Sequence, residues 1–288
     1  MRFKKWMIVT ILAVCMIPAV VFADAAPGDV IVTLGEDLSE QQKQQLLEEM
    51  DVPNDVQTVT VSNEEEHQYL GDYISKAQIG TRAISSTKIT IAEEGAGLNV
   101  KTNNIDWVTE EMYANALTTA GVTDADIYVT APFDVSGTAG LTGILKAYEV
   151  TTNIEIPEEK KQVANEEMVR TVKLGDRVGA DKATELMTKI KTELAENPVE
   201  SLEDLRALIE RVAEEVGITL TEEELNGLVS LFDRMKDLNI DWNEVQTNLE
   251  NVRNNLSKFL NKEETQSFIR SILDFFIAII EAIKGLFK

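Results

Sequence analysis

Along residues 24–150 the spacing of apolar positions switches repeatedly between two periods. "DVIVTLG" (29–35) and "VQTVTVS" (56–62) are short β-branched runs that predict strands. "LSEQQKQQLLEEM" and "NEEEHQYLGDYIS" predict helices, the first with Ser39 and Gln42 at capping-box spacing. "TKITIAEEGAGLNVKTN" predicts a hairpin turning at Gly95 and Gly97. "TEEMYANALTTAG" predicts a helix with Thr109 as N-cap, acids in the first turn and Gly121 at the end. "ADIYVTAP" predicts a strand, and "SGTAGLTGILKAYEV" a helix whose N-terminal face is small. Strand and helix alternating in this way predict an α/β (or α+β) domain with helices covering a sheet. The pattern leaves strand order open.

From residue 157 the rhythm is helical throughout. Leu202, Leu205, Ile209, Val212 and Val216 recur at alternating steps of three and four. Thr221 and Glu224 form a second capping box ahead of Leu225, Leu228, Phe232 and Met235, and Trp242, Val245, Leu249, Val252, Leu256 and Phe259 continue the series. Each segment has one apolar seam and a polar back, so each needs a neighbour. Residues 157–288 are therefore predicted to be an all-α bundle.

The last segment, "FIRSILDFFIAIIEAIKGLFK" (268–288), is different. On a helix its five charged residues fall in one stripe about 80° wide, and the remainder is apolar or small. Asp274 and Glu281 near its middle argue against a membrane span. Two uses remain: a last buried helix of the bundle, or an apolar face formed by Phe275, Phe276, Ile279, Ile280, Ile283 and Phe287 that contacts a membrane surface or an envelope protein. The helix carrying that face is expected over 265–288.

Three stretches, "GDVIVTLGEDLS", "YISKAQIGTRAISS" and "TAGVTDADIYVTAPFDVSGTAGLTGILKAYE", resemble the YpuA family of exported proteins from Gram-positive bacteria. The resemblance covers nearly all of the chain beyond its first residues and is strongest over 28–150. It implies an extracytoplasmic location. The family has no established activity, so no catalytic or binding residues come with it.

The N-terminus agrees with export. Arg2, Lys4 and Lys5 precede an apolar run of sixteen residues, and Val21 and Ala23 stand where a signal peptidase wants small side chains. This predicts a signal peptide over 1–23 and a mature α/β domain over 24–150, with cleavage after Ala25 as the alternative. Cys15 follows Val14, where a lipid-attachment signal would have a small residue, and processing removes it. The mature chain then has no disulfide and relies on its core.

Cleavage after Ala23 removes three basic and no acidic residues and takes the net charge from −23 to −26. Such a surface repels nucleic acid and anionic lipid, so no nucleic-acid partner is expected. Divalent cations are expected to bind only weakly, because Glu64–Glu66 and the Asp124, Asp126 pair lack calcium-loop spacing.

Catalytic signatures are sparse. His67 is the one histidine, and one His with no Cys makes a poor zinc site. "SSTK" (85–88) has S-x-x-K spacing but lies in a β-branched run, where i and i+3 face opposite sides. "NIDW" occurs at 104–107 and 239–242, and Asp as N-cap before Trp reads as a helix start in both places. The strand–helix junction "SGTAGLTG" offers free amides to an anion at Ser136, Gly137 and Thr138. Its spacing is neither a P-loop nor a dinucleotide fingerprint, and the recurrence of Gly137, Gly140 and Gly143 fits close packing on a sheet better. No catalytic residue, cofactor or metal is assigned. The sequence is read as an exported, non-enzymatic cell-envelope protein that acts by interaction or membrane association. The alternative is a small-ligand binder or hydrolase with its pocket at Ser136–Gly140.

Overall fold

The structure is a computed structural model that describes residues 25–53, 55–238 and 240. The expected signal peptide, the seam from Trp242 to Phe259 and the tail at 265–288 lie outside the described residues, as does all but Ile240 of the second "NIDW" copy. The elements in chain order are β1 (Val30–Gly35), α1 (Glu40–Glu49), β2 (Gln57–Val61), α2 (Asn63–Leu70), α3 (Lys76–Ile79), β3 (Ser86–Ile91), β4 (Leu98–Ile105), α4 (Glu110–Ala120), β5 (Ala125–Val135), α5 (Thr138–Thr152), α6 (Glu158–Val178), α7 (Ala180–Glu196), α8 (Leu202–Val216) and α9 (Glu222–Asp237). An α/β region is followed by a helical one.

The five strands form one sheet in the order β2-β1-β3-β5-β4. β1 and β2 are parallel, as are β4 and β5, and β3 runs antiparallel to both of its neighbours. Four strands therefore share a direction, and their carboxyl ends line one edge of the sheet together with the start of β3.

The expected hairpin of β3 and β4 is not formed, because β5 lies between them. The glycine turn straddles the start of β5 instead. Ala92 N donates to Asp124 O at 2.9 Å, and Ala125 N donates to Gly97 O at 3.1 Å. Gly97 N also bonds the Asp124 carboxylate at 2.7 Å. β5 also runs beyond Pro132 to Val135, opposite a bulge at Asn104, where φ is +56°. Asn104 Nδ2 caps Ala131 O at 2.7 Å at this point.

The first "NIDW" copy does not start a helix. The Asp106 and Val108 amides donate to Val135 O and Ser136 O at 3.0 and 3.1 Å, so the segment stays alongside β5. The helix begins after Thr109, whose hydroxyl accepts from Met112 N. Trp107 instead reaches Asp176 on α6, its Nε1 donating at 2.9 Å.

Side chains alternate across the sheet. One face presents Ile31, Ile89, Ile127 and Val129 to a cover built from α2, α4, α5 and α6. α5 sits closest. A Cβ at Gly140 would lie 2.6 Å from the Tyr113 hydroxyl, and one at Gly143 would lie 2.7 Å from Thr33 Oγ1. These glycines let the helix backbone approach the strands. The other face is apolar where Val32 and Leu34 of β1 and Ala131 of β5 pack with Leu46 of α1 and its cap residue Met50.

The helical region has its own core from α6 to α9, including Leu186, Ile190, Ile209, Val212 and Phe232. α6 is shared: Met168, Val169 and Val172 belong to the sheet core, whereas Val163 and Leu174 belong to the helical one. The seam of α8 departs from expectation at Leu202, which is 55% exposed. It occupies the first helical turn, directly after the Ser201 cap, and is not part of that core.

One charge pair is sealed inside this cover. Lys191 of α7 lies 2.5 Å from Glu167 of α6, and both side chains are almost wholly buried. The ammonium also donates to Asn115 O at 2.8 Å and to Thr119 Oγ1 at 2.7 Å on α4. Burial pushes the Glu167 carboxyl up and the Lys191 ammonium down, each toward its neutral form, and their mutual attraction opposes both shifts.

Candidate functional site

Over the second face of β3, β4 and β5 the described residues place no helix but α1, which covers one end of it. Register sets the side chains of this face in rows: Lys88–Tyr128–Lys101, Thr90–Asp126–Asn99, and Ser86–Thr130–Asn103, the last of them buried at Ser86 and Thr130. With strands about 4.8 Å apart, two lysines flank one tyrosine across the sheet. The C-terminus of α1 overhangs these rows and completes a concavity of about 480 Å³, lined by Glu49, Lys88, Asn99, Lys101, Asp126 and Tyr128 among others.

Glu49 organises the site. Its Oε1 accepts from Thr130 Oγ1 at 2.7 Å, from the Tyr128 hydroxyl at 2.8 Å and from Asn103 Nδ2 at 2.9 Å. Partial burial alone would raise its pKa, but the three donors outweigh that and hold the carboxyl below its ordinary value. Tyr128 moves the other way. Burial, and then the hydrogen bond its hydroxyl donates to Glu49, push it up to about 12. In the next row Asn99 Nδ2 donates to Asp126 at 2.8 Å. Lys88 donates to Met50 O, a carbonyl at the C-terminal end of α1 where a cation is favoured. Lys101 is exposed. The site is thus an ordered array of amide, hydroxyl and carboxylate groups around one phenol ring. It holds no paired nucleophile and base.

The residues singled out from sequence lie elsewhere. Ser136, Gly137 and Thr138 sit at the carboxyl edge, on the side of the sheet covered by α5. Gly137 takes φ +85°, and a Cβ there would meet Ile105 Cγ2 at 2.4 Å. The buried Tyr113 hydroxyl donates to Gly137 O, so the phenol fills the space under the junction. Ser136 Oγ and Thr138 Oγ1 are 3.3 Å apart and face each other. Phe275, Phe276, Ile279, Ile280, Ile283 and Phe287 lie outside the described residues. His67 pairs its Nε2 with Gly80 O at 3.1 Å. Of "SSTK", Ser85 is buried just before β3 while Lys88 joins the open face.

A second unusual group lies near the carboxyl ends of β1 and β2. Glu66 of α2 is buried, and neither its Oε1 nor the neighbouring Asn63 Nδ2 completes a hydrogen bond. Burial, with a further push from Asp37, moves this carboxyl up to about 8 although Asn63 opposes the shift. Among the described residues no three His, Cys, Asp or Glu side chains gather closely enough to hold a metal ion. No helix among them is long and apolar enough to cross a membrane.

The open site was missed from sequence although half its signal was present. Asn99, Lys101 and Asn103 alternate on one strand, and Asp126, Tyr128 and Thr130 on another, both with polar residues at every second place. What joins them is the insertion of β5 beside β4.

An α/β sheet with a polar open face, continued by a helical array, defines the class. The chain belongs to the family described as "Protein of unknown function (DUF1002)", whose model matches residues 34–252. It is 52% identical, over 99% of both chains, to the "Uncharacterized protein YpuA" of Bacillus subtilis (strain 168). No solved structure matches it.

Proposed function

We propose that this chain is an exported, non-enzymatic cell-envelope protein that binds its partner on the open face of the sheet. The observation that supports this most is the convergence of Asn103, Tyr128 and Thr130 on Glu49 beside an open concavity of about 480 Å³. A sheet face that merely met solvent would not need its side chains fixed to one another, and fixing them beforehand lowers the entropic cost of binding. Export rests on the order of basic, apolar and small residues at the N-terminus. The tail at 265–288 is a second means of retention, since its residues carry an amphipathic pattern.

The test is protease accessibility on intact cells, combined with retention on isolated envelopes. Three forms are compared: the full chain, a chain ending at Glu264, and Tyr128→Ala. The full chain should be accessible from outside and held on envelopes, and Tyr128→Ala should be released. Release only of the chain ending at Glu264 would place retention in the tail. Protection of the full chain inside cells would overturn the reading.

A further inference from the structure

We infer that the open face takes an uncharged carbohydrate chain laid across β3, β5 and β4. This rests on the reading of that face as the interaction site and adds the chemistry of what it holds. The net charge of the chain is −23, and the site does not reverse that sign locally. Glu49, Asp51 and Asp126 bring three carboxylates into the concavity against the ammonium groups of Lys88 and Lys101. Lys88 is already engaged by Met50 O. One exposed ammonium against three carboxylates is a poor cradle for a nucleic acid, a polyphosphate or an anionic lipid surface.

A peptide is no better served. Peptides read by sheets usually add a strand to a free edge. The outer amide of Thr102 on edge strand β4 is already taken by Glu110 Oε1 at 3.0 Å. The outward residues of the three strands also make no apolar pocket for a side chain, since their rows are polar at each position.

What the rows do present suits a sugar. Each hydroxyl of a sugar both donates and accepts, so it is matched by planar side chains that offer the two functions side by side. The Asn99–Asp126 pair at 2.8 Å and the Asn103–Glu49 pair at 2.9 Å are such couples, and each carboxylate keeps acceptor capacity. Between them the Tyr128 ring offers an apolar surface with a polar tip.

Binding of the full-length chain would be measured by calorimetry against a tetramer of N-acetylglucosamine and against maltotetraose, with polyphosphate and an extended neutral peptide as controls. The same titrations would be run on Tyr128→Ala and Asn103→Ala. Asn103 is exposed and its variant should keep the parent melting temperature within a few degrees; Tyr128 also packs against the apolar cluster under α1, so its variant is titrated well below its own melting temperature. At least one of the two sugars should bind, and each substitution should weaken it by about tenfold, the scale of one lost hydrogen-bonding partner. Sugar binding untouched by both variants would overturn the site. Failure of both sugars while polyphosphate or peptide bound, and lost affinity in the variants, would overturn the ligand class but keep the face as the interaction site. No binding by any probe, with Tyr128→Ala still retained on envelopes, would remove both readings.

Discussion

The two faces of the sheet use polar side chains in opposite ways. Under the helical cover a polar group must be satisfied inside, as where Thr33 and Thr87 pair their hydroxyls at 2.6 Å, or it remains an unsatisfied cost, as with Glu66. On the open face the same kinds of groups are gathered around Glu49, from buried Thr130 through half-buried Tyr128 to exposed Asn103. Changes to the covered side should therefore act on stability, and changes to the open side on binding.

The largest effect should come from the sealed pair. Lys191→Met leaves Glu167 buried without its partner and should cost about 3–5 kcal/mol in chemical denaturation. Replacing both partners by apolar residues should recover most of that loss. Glu66→Gln should act with pH. Because its folded pKa lies above the ordinary carboxylate value, the folded chain keeps a proton that the unfolded chain has released between about pH 4.5 and 8. Parent stability is then greatest below that window and falls as pH rises through it. Glu66→Gln should therefore exceed the parent by several kcal/mol at pH 9 and show no gain at pH 4. Thermal melts at the two pH values read this directly.

Gly140→Ala should cost about 1–3 kcal/mol, since the added methyl meets both the Tyr113 hydroxyl and Val129, and one of them must move. The smallest effect belongs to the open face. Tyr128→Phe removes one exposed hydrogen bond to Glu49 and should change stability by less than about 1 kcal/mol. A larger loss would show that the open face is structural and would erase the contrast.

Local chemistry was the most legible part of the chain. The capping boxes at Ser39 and Thr221 form as their spacing predicts, because a cap involves only residues three apart. Thr109 and Gly121 bound their helix for the same reason. The seam of Leu225, Leu228, Phe232 and Met235 is buried as periodicity requires. What failed was non-local. β3 and β4 carry a good turn between them, yet β5 offers each of them a longer partner, and a turn signal cannot weigh that competition. "NIDW" has an acceptable cap residue, but the amides of Asp106 and Val108 bond carbonyls at the end of β5 and just beyond it. The open site depended on the same unseen insertion. Glu66 stands in the sequence as one of three consecutive acids, and its burial follows from how α2 docks.

The sharing of α6 between two cores has a consequence for how the chain comes apart. Met168 and Val172 are held by the sheet, while Val163 and Leu174 are held by the helices, so neither region can melt without stripping one side of the same rod. Denaturation of the described residues should follow one cooperative transition, and amide exchange should be slowest along the middle of α6. A chain cut near residue 157 would leave the strip of Ala164, Met168, Val169 and Val172 missing from its sheet partners, and it should aggregate before any binding defect could be observed.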